Sequence, residues 1–312
     1  MCVMNKKLRA NLMLLLTAFI WGSAFVAQSK GMDYVGPYTF NCVRNIVASA
    51  FLIPVILLFD YLRVKNSPTD TVEEKTDAEK KAEKKTLLIG GILCGTVLFV
   101  ASSLQQIGIM YTTAGKAGFI TALYIVIVPI LGLFLGKRVR PIIWGCVIVA
   151  AIGLYLLCIK DDLNISRGDF LVLLCAFVFS LHILVIDHFS PKTDGVKLSC
   201  IQFFVCFLFS GIMMFCTETP DLSAILQTAM PILYTGILSS GVAYTLQIVA
   251  QKDTDPTVAS LLLSLESVFA LLAGMLVLHE MLSGKETIGC LLMFAAIIVA
   301  QLPSKSADRL AN

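Results

Sequence analysis

The chain has 312 residues, of which 57% are hydrophobic and only 14% are charged, with a formal net charge of +3. Soluble globular chains carry about 25% charged residues, so this composition excludes a secreted, disordered or coiled-coil protein and one that binds nucleic acid. The mean hydropathy of +0.85 instead predicts an integral membrane protein with several spans, and the lipid bilayer is therefore a predicted partner.

The predicted elements are all α-helices. A hydrocarbon core about 30 Å thick requires roughly 20 apolar residues per helix, and ten segments meet this requirement. The basic residues Lys6, Lys7 and Arg9 precede the first segment, which is too long for the apolar part of a signal peptide and is predicted to stay uncleaved. The ten predicted spans are residues 8–27, 36–59, 87–109, 117–136, 141–159, 168–187, 197–215, 231–250, 256–278 and 285–303.

The basic residues orient the chain. With the N-terminus in the cytoplasm, the cytoplasmic segments hold 18 Lys and Arg residues and the opposite segments hold 5. Cytoplasmic loops carry such an excess, so both termini are predicted to be cytoplasmic. Residues 60–86 contain 14 of the 45 charged residues and are predicted to form a charged cytoplasmic loop, to which we assign no role. The alternatives are a frayed surface helix supported by the Asp77–Lys81 pair and a segment that binds anionic lipid, against which its equal numbers of acidic and basic residues argue.

The two halves of the sequence resemble each other. Each half contains five predicted helices, an odd number, so the second half must enter the membrane upside down. The flanking charges agree, because Arg138 lies in a basic cytoplasmic loop whereas its counterparts His279 and Glu280 lie outside without a positive excess. We predict two inverted five-helix repeats, residues 1–159 and 160–312, a common plan of secondary transporters. The matched pairs are Trp21 with Phe179 and Arg44 with Gln202 at an offset of 158, and Gln105 with Gln247 and Tyr124 with Glu266 at an offset of 142.

Three ionisable residues inside predicted spans are candidate functional groups. Glu266 stands about 15 Å along the ninth span, where a charge is costly, so it must be protonated, paired or exposed to a water-filled cavity. It is predicted to bind substrate or to carry a proton; the alternative is a neutral side chain bonded to a neighbouring helix. Arg44 is predicted to bind a substrate carboxylate. The alternatives are a structural ion pair and a side chain that snorkels to the membrane interface. His182 is a second candidate for proton coupling. The alternative is a structural histidine that forms a hydrogen bond to a helix carbonyl.

Uncharged polar and aromatic side chains complete the predicted substrate site. Gln105 and Gln247 match under the repeat, so their amides are expected to face a common cavity; interhelical hydrogen bonding is the alternative. Trp21, Tyr124 and Tyr244 lie deep enough in their spans to line the same cavity. The ten cysteines form no C-x-x-C pair and no His/Cys cluster with metal spacing, so neither a metal site nor a cofactor is predicted.

Several segments resemble bacterial EamA-family transporters of the drug/metabolite transporter superfamily. The resemblance rests on Trp21-Gly22, on the pattern of Pro37, Phe40 and Arg44, and on residues 104–138 and 244–302. It implies ten helices in two inverted repeats, a bacterial plasma membrane location and a cavity lined mainly by helices 1, 3, 4, 6, 8 and 9. Many relatives have proline after the matching glutamate. Ser267 stands there in this chain, which argues against a kink at that point.

The favoured function is a secondary carrier that exports small metabolites such as amino acids by alternating access, with proton coupling as an option. Family members also carry drugs or sugars, so a drug, sugar or nucleoside carrier is the alternative within this fold. A channel and an intramembrane enzyme are the remaining classes. No Walker A motif and no H-E-x-x-H motif is present, so neither ATP drive nor metalloprotease activity is predicted. The sequence is compatible with a monomer or a homodimer.

Overall fold

The computed structural model describes residues 6–66, 76–112, 114–137, 139–158, 166–278 and 284–301. Within these ranges the chain forms helices and no β-strand, which confirms the all-α fold. In chain order the elements are α1 (Lys6–Gly31), α2 (Pro37–Asn66), α3 (Asp77–Ile109), α4 (Ala114–Thr121), α5 (Tyr124–Phe134), α6 (Pro141–Cys158), α7 (Arg167–Phe189), a 3-10 helix (Ser190–Lys192), α8 (Gly195–Thr217), α9 (Leu222–Gln227), α10 (Ala229–Leu233), a π-helix (Tyr234–Tyr244), α11 (Thr245–Ala250), α12 (Pro256–Leu263), α13 (Glu266–Leu278) and α14 (Gly284–Gln301).

Eight helical stretches in the described ranges are long and apolar enough to cross a membrane. They coincide with eight of the predicted spans. Two shorter apolar helices, Pro141–Leu156 and Thr287–Ala300, lie at the predicted fifth and tenth spans. The protein is therefore an all-helical membrane protein, and the total of ten spans stays a prediction.

The bundle has an apolar exterior and a partly polar interior. Large apolar side chains such as Leu57, Phe134 and Ile148 are exposed on the outer faces of the helices, whereas His182 and Gln202 are fully buried. Lipid provides an apolar medium for the exterior, so polar side chains must find their partners inside the protein or in an internal cavity.

Helices from the first half pack closely against helices from the second half. The main pairs are α2 with α8, α3 with α7, α6 with α14, and α1 with α13. Glycines permit this close approach: a Cβ atom added to Gly22 in α1 would lie 2.5 Å from the carbonyl oxygen of Glu266, and one added to Gly153 in α6 would lie 2.7 Å from that of Gly289. Small residues at such contacts let helix backbones come together in a membrane.

Two predicted spans are interrupted near their middle. The fourth is divided into α4 and α5 at residues 122–123, and the ninth into α12 and α13 at residues 264–265. At each break, the N–H groups of Leu123 and Leu265 donate to the carbonyl three residues earlier rather than four. The breaks fall at positions that match at the offset of 142 residues.

The expectation that Ser267 removes the kink is wrong, because the helix breaks two residues before it. Serine hydroxyls bind carbonyl groups around the break, one in the same helix and one in another: Ser264 Oγ donates to the Leu261 carbonyl at 2.8 Å, and Ser267 Oγ donates to the Gly118 carbonyl of α4 at 3.3 Å. A proline is therefore not needed to interrupt this span.

The predicted eighth span contains the π-helix Tyr234–Tyr244 instead of a uniform α-helix. Its wider turn leaves carbonyl groups available to other donors. Thr17 Oγ1 donates to the Ala243 carbonyl at 3.0 Å, and Trp21 Nε1 donates to the Ser239 carbonyl at 3.2 Å. Side chains of α1 thus stabilise the irregular backbone of the helix that faces them.

The two ends of the bundle are named here by α1: the Lys6 end, where it begins, and the Gly31 end, where it stops. At the Gly31 end, Glu218 follows α8 and caps α2. Its carboxylate accepts from the N–H of Tyr38 at 2.9 Å and from the N–H of Thr39 at 2.8 Å. A Cβ atom at Gly36 would collide with this carboxylate, so the glycine leaves room for a cap supplied by the other half.

At the Lys6 end, the same helix pair is joined by an ion pair. Lys197 Nζ, in the first turn of α8, lies 2.8 Å from Asp60 Oδ2, near the end of α2. Each helix of the antiparallel α2–α8 pair therefore brings an acidic residue near its C-terminus to the beginning of its partner, where the helix dipole favours negative charge.

The charged segment at residues 60–86 is only partly a loop, contrary to the prediction. Helix α2 continues to Asn66, and α3 begins at Asp77. Thr76 and Glu79 form a capping box, in which each side chain accepts a hydrogen bond from the backbone of the other. The Ala, Glu and Lys residues that follow are strong helix formers, so the helix extends beyond its apolar part.

Some sequence predictions fall outside the described residues. They include residues 67–75 of the charged segment and the positions compared for flanking charge, Arg138, His279 and Glu280.

We predict that Gly95→Ala destabilises the protein. The added Cβ atom would lie 2.7 Å from the Gln202 carbonyl oxygen and 2.7 Å from Val205 Cβ in α8, and such overpacking costs about 1–3 kcal/mol. Thermal unfolding in detergent measures the effect. Gly145→Ala is the matched control, because no heavy atom lies within 4 Å of its added Cβ atom. Equal melting temperatures for the two variants would contradict close α3–α8 packing.

Candidate substrate cavity

A cavity lies inside the bundle and is lined from both halves of the chain. All eight residues predicted from sequence as site residues line it: Trp21, Arg44, Gln105, Tyr124, His182, Tyr244, Gln247 and Glu266. The other lining residues are Phe25, Gln28, Thr121, Phe179, Ile183 and Ser239. The structure thus brings the predicted residues together, while their roles stay predictions.

The cavity is narrow in this conformation. Its free volume is about 30 Å³, which holds a few water molecules and is far below the roughly 300–1,000 Å³ of a typical ligand pocket. A substrate larger than a few waters therefore requires the lining helices to move apart.

The two interrupted spans meet at the cavity. Tyr124 is the first residue of α5, Glu266 is the first residue of α13, and the Tyr124 hydroxyl donates to Glu266 Oε1 at 2.9 Å. Both side chains are buried. These residues match at the offset of 142, so equivalent positions of the two halves touch each other. Glu266 also lies at the break between α12 and α13, so the interruption of the ninth span places its carboxylate at the cavity.

Arg44 is buried in the cavity wall without a carboxylate partner in the described part of the chain. Its Nη1 donates to Gln28 Oε1 at 3.1 Å, and its Nε has no hydrogen-bond partner there. Snorkelling to the interface is inconsistent with this position, because the side chain is only 3% exposed. A buried guanidinium without a carboxylate partner is energetically costly, so this position of Arg44 calls for an explanation beyond helix packing.

His182 contacts an amide side chain instead of a helix carbonyl. Its Nε2 forms a hydrogen bond of 3.1 Å with Gln202 Oε1, and its Nδ1 has no partner within the described ranges. The ring also meets Tyr244 edge-on, with centroids 5.9 Å apart. Gln202 is the repeat counterpart of Arg44, so the same position carries a cation in one half and a neutral amide in the other.

Aromatic rings form one wall of the cavity. The Trp21 and Tyr244 rings have centroids 4.4 Å apart, and Phe179, the repeat counterpart of Trp21, lies edge-on to His182. Flat apolar rings with polar edges bind both the apolar part of a small solute and a cationic group.

Amide side chains lie on other parts of the wall. Gln105 Nε2 donates to Thr121 Oγ1 at 3.2 Å, whereas Gln247 Oε1 has no partner in the described part of the protein. Two other glutamines of the same spans point elsewhere: Gln106 Nε2 donates to the Gln28 carbonyl, and Gln251 Nε2 donates to the Ile183 carbonyl. The spans therefore carry glutamines of two kinds, cavity-lining and structural.

Sequence reasoning missed Gln28, Thr121 and Ser239. Gln28 falls one residue beyond the predicted end of the first span, although its polarity next to an apolar run was a usable signal. Thr121 and Ser239 are common residues in membrane helices, and nothing in the sequence distinguishes them from packing residues.

The comparisons with known proteins give a consistent result. The model of the EamA-like transporter family matches residues 8–159 and residues 166–301. An uncharacterized transporter of Archaeoglobus fulgidus is 31% identical over 95% of this chain and 87% of its own length. A chloroplastic WAT1-related protein of Arabidopsis thaliana is 25% identical over 91% of this chain and 67% of its own length. A solved crystal structure shares the fold with a TM-score of 0.75 at 17% identity, covering 97% of this chain and 99% of that one.

We predict that Arg44→Met raises the melting temperature in detergent. The substitution keeps most of the side-chain volume and removes a buried charge, and replacing buried charges with apolar side chains often stabilises by about 1–4 kcal/mol. Arg9→Met, at an exposed position in the first turns of α1, is the control and should leave the melting temperature unchanged. A lower melting temperature for Arg44→Met would show that Arg44 is a structural residue.

Proposed function

The chain belongs to the EamA-like transporter family and is a membrane transporter; on this premise we propose that it is a secondary carrier that exports small zwitterionic metabolites such as amino acids. The observation that carries the proposal is the presence of Arg44 and Glu266 in the wall of one internal cavity. The described residues contain no ion pair between the two groups.

A zwitterion fits these two groups. The substrate carboxylate would bind the guanidinium of Arg44, whose fork geometry suits a carboxylate. The ammonium group would lie near Glu266 and the faces of Trp21 and Tyr244, which attract cations. The free oxygen of Gln247 adds an acceptor for an N–H group.

Alternating access follows from the arrangement of the halves. We assign residues 1–159 and 160–312 to two inverted repeats. The pairing of helices supports this assignment. In the two halves, α1 corresponds to α7, α2 to α8, and α3 to the span that contains the π-helix. The contact of α3 with α7 therefore has a counterpart in the contact of the π-helix with α1, and α2 contacts its own counterpart α8. Rocking one repeat against the other would open the small cavity to each side in turn.

Glu266 is the proposed proton carrier, and His182 is the second candidate. Protonation of Glu266 would remove the charge that attracts the substrate ammonium, so proton binding on one side would release the substrate there. This exchange couples export to inward proton flow. We also propose that both termini are cytoplasmic, because Lys and Arg are in excess at the Lys6 end. The plasma membrane of a bacterium is the proposed location, from the resemblance to bacterial EamA-family transporters.

The aromatic wall supports a second candidate function. The neighbouring rings of Trp21 and Tyr244 would also accept a nucleoside or an aromatic drug, provided that this solute carries an anionic or hydrogen-bonding group for Arg44. A sugar would use the glutamine side chains instead. These solutes are the alternatives within the same carrier mechanism.

We predict saturable efflux of amino acids from proteoliposomes that contain the purified protein. A panel of labelled amino acids, loaded with and without a pH gradient, measures this flux, and protein-free liposomes are the control. Flux that saturates and rises with the gradient is expected. The absence of flux for every amino acid, together with flux for nucleosides, sugars or drugs, would contradict the zwitterion assignment.

We predict that Glu266→Gln abolishes net export or makes it independent of pH, because the amide neither binds a proton nor attracts an ammonium group. Efflux at several external pH values, normalised to inserted protein, checks the result. Asp253→Asn, which neutralises an exposed acid in the turn after α11, is the matched control and should keep the wild-type profile. Wild-type rates and pH dependence in Glu266→Gln would disprove the proposed role.

A further inference from the structure

Helix α3 is longer than the membrane is thick. Its 33 residues extend about 50 Å, against a hydrocarbon core of about 30 Å. Its first nine residues, 77–85, are exposed and precede the apolar part, which begins at Leu87. This segment, named here the α3 extension, leaves the membrane at the Lys6 end.

The lysines of the α3 extension continue the face of α3 that contacts lipid. Lys81 and Lys85 are spaced four residues apart, and Leu88 and Ile92 follow on the same helical face. Leu88 is 54% exposed and Ile92 is 43% exposed, as expected for side chains in contact with lipid tails. Lys81 and Lys85 therefore stand directly above the lipid that surrounds α3.

Two of the three acidic residues of the extension, Glu79 and Glu83, lie on the opposite face, whereas Asp77 lies one turn before Lys81 on the lysine face. Glu79 and Glu83 follow the helical line of Gly90 and Cys94, which are buried. A Cβ atom added to Gly90 would lie 2.9 Å from the Phe189 ring, so this line faces the bundle. The three acidic and four basic residues of the extension are thus unevenly distributed around the helix: two of the acids face the bundle, and Lys81 and Lys85 face the lipid.

The two lysines are close enough to the lipid headgroups to contact them. Lys85 precedes Leu87 by two residues, about 3 Å of helix, and Lys81 precedes it by about 9 Å. The headgroup layer is about 5–7 Å deep on each side, and a lysine side chain can bend back toward it. Neither lysine forms an ion pair with any residue that the structure describes.

We propose that Lys81 and Lys85 form a binding site for the phosphate groups of anionic phospholipids in the leaflet at the Lys6 end. Anionic lipid is favoured over an acidic protein partner because the basic face is continuous with the lipid-facing side of the same helix. The site anchors the start of α3, a helix that supplies Gln105 to the cavity wall. This inference does not depend on which solute the carrier moves or on which side of the membrane the Lys6 end lies.

The test compares two double variants with the same loss of charge. Lys81→Gln with Lys85→Gln removes the proposed site, whereas Lys80→Gln with Lys84→Gln removes the preceding lysines, each rotated by about 100° around the helix. The full-length protein in detergent micelles is titrated with phosphatidylglycerol or phosphatidylcholine, and bound lipid is counted by native mass spectrometry.

We expect phosphatidylglycerol to bind Lys81→Gln/Lys85→Gln more weakly, by about fivefold for each lysine removed, with binding of phosphatidylcholine unchanged. The Lys80→Gln/Lys84→Gln protein should show a much smaller loss, and Lys81→Arg/Lys85→Arg should restore binding. Circular dichroism verifies that each variant keeps its helix. Equal losses in the two glutamine variants would overturn the assignment to one face, and no loss in either would overturn the site.

Discussion

Polar groups inside a lipid bilayer can find partners only within the protein or in water that it encloses, and this constraint shapes the interior of the bundle. The broken spans, the π-helix and the unpaired guanidinium of Arg44 would each be costly against lipid. They are placed together, around one cavity, where Trp21 and Thr17 provide donors for backbone carbonyls and where water or a solute can reach the remaining groups. The site and the irregular backbone are thus consequences of the same constraint.

The cavity combines a symmetric backbone with asymmetric chemistry. Equivalent positions carry a phenol and a carboxylate at Tyr124 and Glu266, and a guanidinium and an amide at Arg44 and Gln202. A strictly symmetric pair of halves would place like groups opposite each other, and two buried carboxylates or two guanidinium groups would repel. The different residues at these positions instead place one guanidinium and one carboxyl group in the wall of the same cavity.

The sequence was sufficient to predict the helical membrane fold and the eight principal lining residues. A polar residue inside an apolar run is so costly that its presence alone indicates a cavity or a partner, and this argument needs no knowledge of neighbouring helices. The two helix breaks and the π-helix were not predicted, and a helix in the charged segment was considered only as an alternative to a loop. The breaks and the π-helix depend on donors from other helices, such as Trp21 for the Ser239 carbonyl and Ser267 for the Gly118 carbonyl, which a single helical segment does not show.

The cap that Glu218 provides for α2 has a consequence for biosynthesis. The carboxylate that accepts hydrogen bonds from the N–H groups of Tyr38 and Thr39 lies about 180 residues later in the chain. At about 5–20 residues per second, the ribosome needs roughly 10–40 s to make that carboxylate. During this interval the start of α2 can satisfy its N–H groups only with water or lipid headgroups, so the first half completes its own helix ends only after the second half has been inserted.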